Sequence, residues 1–522
     1  MVLSLFIPHL VVASNIVLLL SFILSGYFCF LLVDYLVHNK PAAFLAGVVF
    51  AFCPYRFAHL LGHFDLTSTH WIPLFILFFL KMAAPVGSYR PAVIAGAIAV
   101  FTMLDAYYYS IFLIIFMVLF YLYKLCHPDQ RREYISWRGL RKVAVLGLSS
   151  LLFSAPFLVM AYKHARAAGF QGKTPGWLGA NDFVGDVTAF FIPSFLHPFW
   201  QPRVQAYYDK VLGATSDPVE SVVFIGWLVV LLTLFACLYL ARQRPALRIW
   251  RFLAVAFLIL SLGPTLHIKG KYLFDLDGLV VSVPLPYILV HYIPLVSNTR
   301  CPARLNIMFM LCAAILSAYA WIWIQEKLQQ RKQVPGIALV LLGLIIIFEY
   351  LSVPIHLCSA KIPVVFQKIA SDTDPGTVLE LPVSINDGAI ARGYIHLEPF
   401  MMYAQTVHNK KRIGGSIGRG VQMICEYFDG FPAIRHLFDL LEDEKHERVI
   451  SAEELEEDKK TVADLIRHFS FKYIVVHPEF KDSPAHRYVS AIFNLAGPTY
   501  QDEGYLVYRI SENSAQSFTK AK

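Results

Sequence analysis

Cys53-Pro-Tyr-Arg-Phe-Ala-His-Leu-Leu-Gly-His-Phe-Asp-Leu-Thr-Ser-Thr-His-Trp71 lies between two apolar runs, yet it carries Arg56, His59, His63, Asp65 and His70 within fifteen residues. An ionisable side chain at membrane depth costs roughly 2.5–3.5 kcal/mol even on a lenient insertion scale. A chain that keeps five of them beside its spans has placed them in water or in a polar cavity. Composition supports reading the flanks as spans. Of 522 residues, 57% are hydrophobic and 16% charged, whereas soluble domains carry about 25% charged residues. The formal charge of +8 does not call for nucleic acid. Its basic residues cluster in short loops between apolar runs, which is the positive-inside pattern.

Working outward from 53–71, apolar runs fall near 12–36, 41–54, 71–83, 91–105, 107–124, 143–162, 221–241, 251–265, 304–324 and 335–355. A span needs about 20 apolar residues, fewer if polar ends snorkel. The fold class expected is a polytopic α-helical membrane protein of about ten transmembrane helices over residues 1–355. The run 285–296 is too short and Pro-bounded, and reads as an interfacial or re-entrant helix. Basic clusters at 125–142, 242–251 and 325–334 are placed in the cytoplasm. Alternation then puts 55–70, 105–107, 163–220, 266–303 and everything after about 356 outside. Residues 356–522 read as an extracytoplasmic α/β domain. Val378-Leu-Glu-Leu-Pro, Tyr473-Ile-Val-Val-His and Tyr505-Leu-Val-Tyr-Arg look like short buried strands, and 437–465 like one or two exposed helices with a break. No nucleophile elbow, P-loop, dinucleotide fingerprint or HExxH motif occurs in that domain, and the eight cysteines of the chain show no CxxC or metal-ligand spacing.

Every chemically suggestive loop therefore lands on one face. Asp105 and Tyr107 sit at the second outer turn. The loop 163–220 carries Asp182 and Asp186, and ends at Glu220. Two carboxylates four apart share a face if the segment is helical, and could hold a divalent cation or act as base and orienting partner; a solvated helix face is the commoner cause of that spacing. Arg300 and Arg304, four apart at the mouth of a span, suit phosphate or pyrophosphate through bidentate geometry, and suit lipid headgroups equally well. His59 and His63 are one helical turn apart with Asp65 two residues on. A metal held by these two and one carboxylate is conceivable, but histidines at this spacing are more often ordinary loop or interface residues, so no metal ligand is assigned.

The order Pro54-Tyr-Arg-Phe-Ala-His, His63, Trp71-Ile-Pro, Tyr107-Tyr108, Phe190-Phe-Ile-Pro-Ser, His197-Pro, Glu220, Phe224-Ile-Gly226, Leu262-Gly-Pro-Thr-Leu, Gly270 and Arg300-Cys-Pro-Ala-Arg304 resembles the GT-C glycosyltransferase superfamily, near its YfhO-like and mannosyltransferase-like groups. The resemblance implies transfer of a sugar from a polyprenyl-phosphate donor to an extracytoplasmic acceptor, in the cell membrane of a bacterium or archaeon, with membrane lipid and the lipid-linked sugar as partners. It implies catalytic carboxylates among Asp65, Asp182 and Asp186. Substrate binding would fall to Arg56, His59, His63, Asp105, Tyr107, Glu220, Arg300 and Arg304. The cofactor is undetermined; a divalent cation such as magnesium or manganese would suit such chemistry. Similar proteins carry an earlier span and an acidic first outer loop that has no counterpart after Met1, so the chain is expected to be an N-terminally truncated fragment or to lack the usual base. The alternatives from other classes are a transporter or flippase of lipid-linked saccharides and a non-catalytic membrane scaffold.

Overall fold

A computed structural model describes residues 9–84, 88–127, 136–167, 180–212, 218–293, 299–355, 357–386, 391–417, 421–442 and 448–510, with residues 7, 131, 134 and 296 besides. The chain divides into two compact units, Met1–Leu357 and Cys358–Lys522.

In the first unit each of the ten apolar runs is helical. The helices are α1 (Leu10–Val37), α2 (Lys40–Ala51), the one-and-a-half-turn α3 (Pro54–His59), α4 (Trp71–Ala83), α5 (Arg90–Asp105), α6 (Tyr107–Cys126), α7 (Trp137–Ala167), α8 (Trp227–Phe235, prolonged by a wider turn), α9 (Leu247–Ser261), α10 (Asn306–Gln330) and α11 (Pro335–Glu349). Five segments, Leu10–Val37, Lys40–His59, Tyr107–Cys126, Trp137–His164 and Pro302–Gln330, are long and apolar enough to cross a membrane; α4, α8 and α11 are apolar but shorter. The Pro-bounded run near 285–296 forms only a short helix at Tyr287–His291.

The centre of this unit is α10. Every residue from Asn306 to Trp321 is buried, on all sides of the helix. A helix apolar all round belongs inside a protein or a bilayer, and here the neighbours are protein: α2, α8 and α9 pack on it. Asn39 ties the two ends of that packing. Its side-chain oxygen caps α2 by accepting from Ala42 N at 3.0 Å, and its amide donates to Gln325 on α10 at 3.0 Å. By contrast, α7 leaves Leu148, Leu151, Leu152 and Met160 exposed, an outward apolar face that lipid would cover. The helices α1 and α2 meet at small residues: a Cβ on Gly47 would stand 2.8 Å from the carbonyl oxygen of Gly26. Backbones approach this closely only where no side chain intervenes.

The second unit layers helices on both faces of a five-stranded sheet ordered β2 (Lys411–Arg412), β1 (Thr377–Leu381), β3 (Phe471–Val476), β5 (Tyr505–Arg509), β4 (Tyr500–Asp502). The three strands read from sequence are its middle. β1 runs parallel to β3, and β3 antiparallel to β5. Alternation sorts their side chains: Leu379, Leu381, Ile474 and Val476 pack with α15 (Pro432–Glu442), α16 (Ala452–Phe469) and α17 (Pro484–Ile492). Val378, Tyr473 and Val475 pack with α12 (Val364–Ser371) and α13 (Glu398–His408). A remaining helix, α14 (Val421–Asp429), precedes α15. The acidic stretch 437–465 holds two helices, one ending at Glu442 and the next starting at Ala452; residues 443–447 lie outside the described residues. A capping box starts α16: Ser451 Oγ accepts from Glu454 N at 3.2 Å while the Glu454 carboxylate accepts from Ser451 N at 2.8 Å.

On the α12/α13 face, Glu380 sits within a wholly buried strand. Arg412 donates to it at 2.8 Å and also to Glu398, which accepts from Ser384 Oγ at 2.6 Å. Burial pushes the Glu380 carboxyl up to about 7 despite Arg412. Burial, reinforced by the Arg412 charge, takes His477 down to about 3 and His408 to about 4.

Two outcomes follow from this packing. Gly47→Ala should open the α1–α2 contact and cost about 1–3 kcal/mol, the usual penalty of overpacking. Gly147→Ala on α7, where a Cβ meets nothing within 4 Å, should leave the melting temperature of the detergent-solubilised chain unchanged. The second outcome concerns pH. Each histidine resists protonation in the fold, so its contribution is present above pH 6.5 and is lost as the pH falls toward 4 or 3. Glu380 acts in the opposite sense, its contribution lost as the pH rises from 4.5 through 7. Two groups outweigh one, so the second unit should lose stability from pH 6.5 to 4.5. Hydrogen exchange of peptides covering 471–480 in the full chain, corrected for intrinsic rates, reads this; His477→Gln should flatten the slope, and a flat wild-type profile would contradict it.

Candidate functional site

The stretch 53–71 folds as the short α3 and a 3₁₀ turn at Phe64–Thr67 that leads into α4. Pro54 opens α3, where a missing N–H costs nothing. Closing so sharp a corner between apolar helices exposes carbonyl groups with no helical partner, and Arg56 collects them. Its Nη1 donates to Ala51 O at 2.7 Å, and its Nη2 to Thr67 O at 2.8 Å and to Ser21 Oγ on α1 at 3.1 Å. The guanidinium lies 3.8 Å from the Phe22 ring centroid and is fully buried. Sequence reasoning made Arg56 a substrate ligand. The structure spends it on fastening α1, α2 and the turn together.

One turn later, α3 delivers His59 and its C-terminal side delivers His63. The His59 ring is fully buried, edge-on to Tyr55 at 4.1 Å and to His63 at 5.3 Å. Neither nitrogen of His59, nor Nδ1 of His63, has a hydrogen-bond partner among the described residues. His63 Nε2 stands 3.7 Å from Glu220 Oε1. Glu220 belongs to the turn before α8, and Arg304 comes from the 3₁₀ turn Pro302–Leu305 that opens α10. Arg304 Nε donates to the two Glu220 oxygens at 3.1 and 3.0 Å, and Nη2 donates to Oε1. Burial alone would raise the Glu220 carboxyl, but the Arg304 charge, His59, the Arg304 hydrogen bonds and His63 together hold it at about 2.

The ring closes through tyrosines. Arg304 faces the Tyr108 ring at 4.6 Å from its centroid. Tyr109 donates to Leu66 O and pairs with the Tyr55 hydroxyl at 3.3 Å. Tyr107, the aromatic singled out from sequence, is the exposed member and stacks on Tyr108 at 4.1 Å. Asp65 and Asp105 lie at the exposed edge of this ring. Asp105 accepts from Trp71 Nε1 at 2.6 Å, and the two carboxylates are near enough for their charges to oppose one another. Arg56, His59, His63, Asp65, Asp105, Tyr107, Glu220 and Arg304 are thus brought together.

The remaining residues take other positions. Asp182 and Asp186 do not share a helix face, because 180–188 is an irregular loop. Asp182 is exposed in a turn. Asp186 is buried and accepts from Thr188 N at 2.8 Å and Gly270 N at 2.7 Å, so its oxygens organise the loop rather than await a substrate. Gly270 has φ of 73°, and a Cβ there would stand 2.0 Å from Val211 O, which is why that bond needs a glycine. Arg300 is half-buried just ahead of the α10 mouth. Sequence reasoning missed Tyr55, Tyr108 and Tyr109. Their signal was adjacency to charged positions at a helix start.

A family described as a domain of unknown function (DUF6311) matches residues 2–347. No curated protein matches the chain. Among solved structures, the chain is similar to the single-particle cryo-EM structure of arabinofuranosyltransferase AftD from mycobacteria, with 14% sequence identity and a TM-score of 0.52 over 96% of this chain and 34% of that one. That likeness is one of fold, and the chain spans about a third of that protein's length.

The Glu220–Arg304 pair makes a direct prediction. Removing one partner strands the other as a buried charge, at a cost of about 3–5 kcal/mol. Glu220→Ala and Arg304→Leu should each destabilise by that order. The double variant should lose much less than the sum, read by thermal unfolding of the full chain in a double-mutant cycle.

Proposed function

The chain belongs to the DUF6311 family, and we propose that it is a membrane glycosyltransferase of the GT-C type, moving a sugar from a polyprenyl-phosphate donor to an acceptor at the extracytoplasmic face. What supports the reading is a fold shared with an arabinofuranosyltransferase and the gathering of the outer-loop residues around the mouth of α10.

Such a transfer asks for three things on one side of the membrane. A base must take the acceptor hydroxyl proton, cations must receive the departing phosphate, and an apolar flank must hold the lipid tail. Asp65 is our candidate base: it is an exposed carboxylate at the edge of the ring, beside Asp105, which is also exposed but is held by Trp71. As the acceptor oxygen attacks the anomeric carbon, Asp65 accepts its proton, and the donor phosphate leaves with the bonding electron pair. Half-exposed His63 and half-buried Arg300 are the groups we assign to that phosphate. Arg304 acts behind them, its charge already matched by Glu220. The exposed Tyr107 ring offers a face for the sugar, and exposed Leu19 and Ile23 on α1 a path for the tail. Asp182 stays an acceptor-side candidate, whereas Asp186 shapes its loop. In this reading residues 356–522 follow α11 to the same extracytoplasmic side.

The experiment is a transfer assay on the full chain in lipid nanodiscs, supplied with polyprenyl-phosphate-linked arabinofuranose or mannose. General-base catalysis is worth about 10²–10⁴-fold, so Asp65→Asn should cut turnover at least about 100-fold while leaving the melting temperature near wild type. Asp105→Asn should have a smaller effect. Transfer unchanged in Asp65→Asn removes the assigned base. Movement of the lipid-linked sugar across the bilayer with no transfer to any acceptor replaces this function with that of a flippase.

A further inference from the structure

We infer that His59, His63 and Glu220 form a binding site for a single zinc-class divalent cation. The three residues each offer one ligand atom, and these atoms lie within 4.8 Å of one another. They come from two distant parts of the chain, α3 with its following turn and the segment before α8, so the arrangement is made by the fold and not by local sequence.

The inference rests first on His59. A neutral imidazole carries one N–H donor and one acceptor nitrogen, and buried polar groups in folded proteins almost always find partners. The His59 ring is fully buried among Tyr55, His63 and the Glu220 side, and among the described residues both of its nitrogens lack a hydrogen bond. The Nδ1 of His63 lacks one too. A cation between the two rings and the carboxylate would employ one nitrogen of each.

The second support is the donor set. Two imidazoles and a carboxylate are ligands that suit zinc and its late first-row neighbours, whereas magnesium and manganese favour oxygen donors. The magnesium or manganese anticipated from the reaction class is therefore the poorer fit. Three protein ligands leave a fourth position for water or a substrate oxygen, the pattern of reactive rather than purely structural zinc.

Geometry is close to what is required. Tetrahedral donors at bond lengths of about 2.0–2.2 Å stand roughly 3.3 Å apart. His63 Nε2 and Glu220 Oε1 are 3.7 Å apart. With the ligand atoms lying within 4.8 Å of one another, drawing the set together needs an inward shift that falls to His63, whose side chain is 33% exposed, while Glu220 is only 3% exposed. Arg304 holds that carboxylate through Nε and Nη2. A metal-bound carboxylate is ordinarily oriented by an outer hydrogen-bond donor of this kind.

The site stands whether or not the chain transfers sugar, and its test needs no activity. The full chain, purified in detergent and exchanged into metal-free buffer after loading with zinc, should retain about one zinc per chain by elemental analysis. Loaded instead with Co(II), it should show the intense visible bands of tetrahedral cobalt. His59→Gln and His63→Ala should each lose both signals. Should His59→Gln misfold on gel filtration, His63→Ala decides, because its side chain is half-exposed and its loss leaves the core intact. Wild-type zinc no higher than in the His59→Gln/His63→Ala double variant overturns the inference. So do cobalt bands that survive in His63→Ala.

Discussion

The ion pair between Arg304 and Glu220 is the constraint on which the polar end of the membrane unit depends. Taking two charges out of water costs several kcal/mol per ion, and only near-ideal geometry offsets it. Here Arg304 meets both carboxylate oxygens, and the pair locks the segment before α8 onto the first turn of α10. That segment has little regular structure of its own. Asn306 donates to Val223 O at 3.3 Å, Tyr350 donates to Ile225 O, and Ile225 N donates to Phe190 O at 3.2 Å. With Glu220 fixed, His63 and the α3 corner have a surface to close against. Without it, the outer loops lose their common reference.

Arg56 solves a different problem with similar chemistry. Non-helical backbone beside membrane spans is tolerated only where its polar groups are satisfied inside the protein. The corner from Ala51 to Thr67 therefore needed donors aimed at its carbonyls, and one guanidinium reaches two of them while a third hydrogen bond ties it to Ser21 Oγ on α1. Charged residues crowded between apolar runs thus divide into two kinds: those that make the irregular backbone affordable, and those left over for chemistry. Arg56 belongs to the first kind; the proposed function places Asp65 and Asp105 in the second.

Much of this was legible before the structure. The ten apolar runs are helical because long apolar stretches have few other ways to satisfy their backbone, and the three short apolar runs near the C-terminus became adjacent strands. Five of the helical segments have span length and composition. The spacing of His59 and His63 placed both on one side of a turn. What could not be read was the third partner. Glu220 is far along the chain and lies in no motif with them, so only tertiary packing brings it to His63, in preference to the nearer Asp65. Asp182 and Asp186 misled for the opposite reason. Their spacing implied a helix face, but the segment is a loop whose geometry Asp186 itself sets through Gly270. Likewise, residue type alone cannot say whether an arginine will face a substrate or its own backbone.

The all-round burial of α10 has a consequence for how the protein is made. Membrane helices enter the bilayer roughly in the order of their synthesis, and α10 is completed only when residue 330 has left the ribosome. Until then the helices made before it lack their central partner. Glu220 and the Asn39 cap lack the Arg304 and Gln325 they will later meet. The packing around α10 therefore closes late in the synthesis of this unit, with only α11 still to follow.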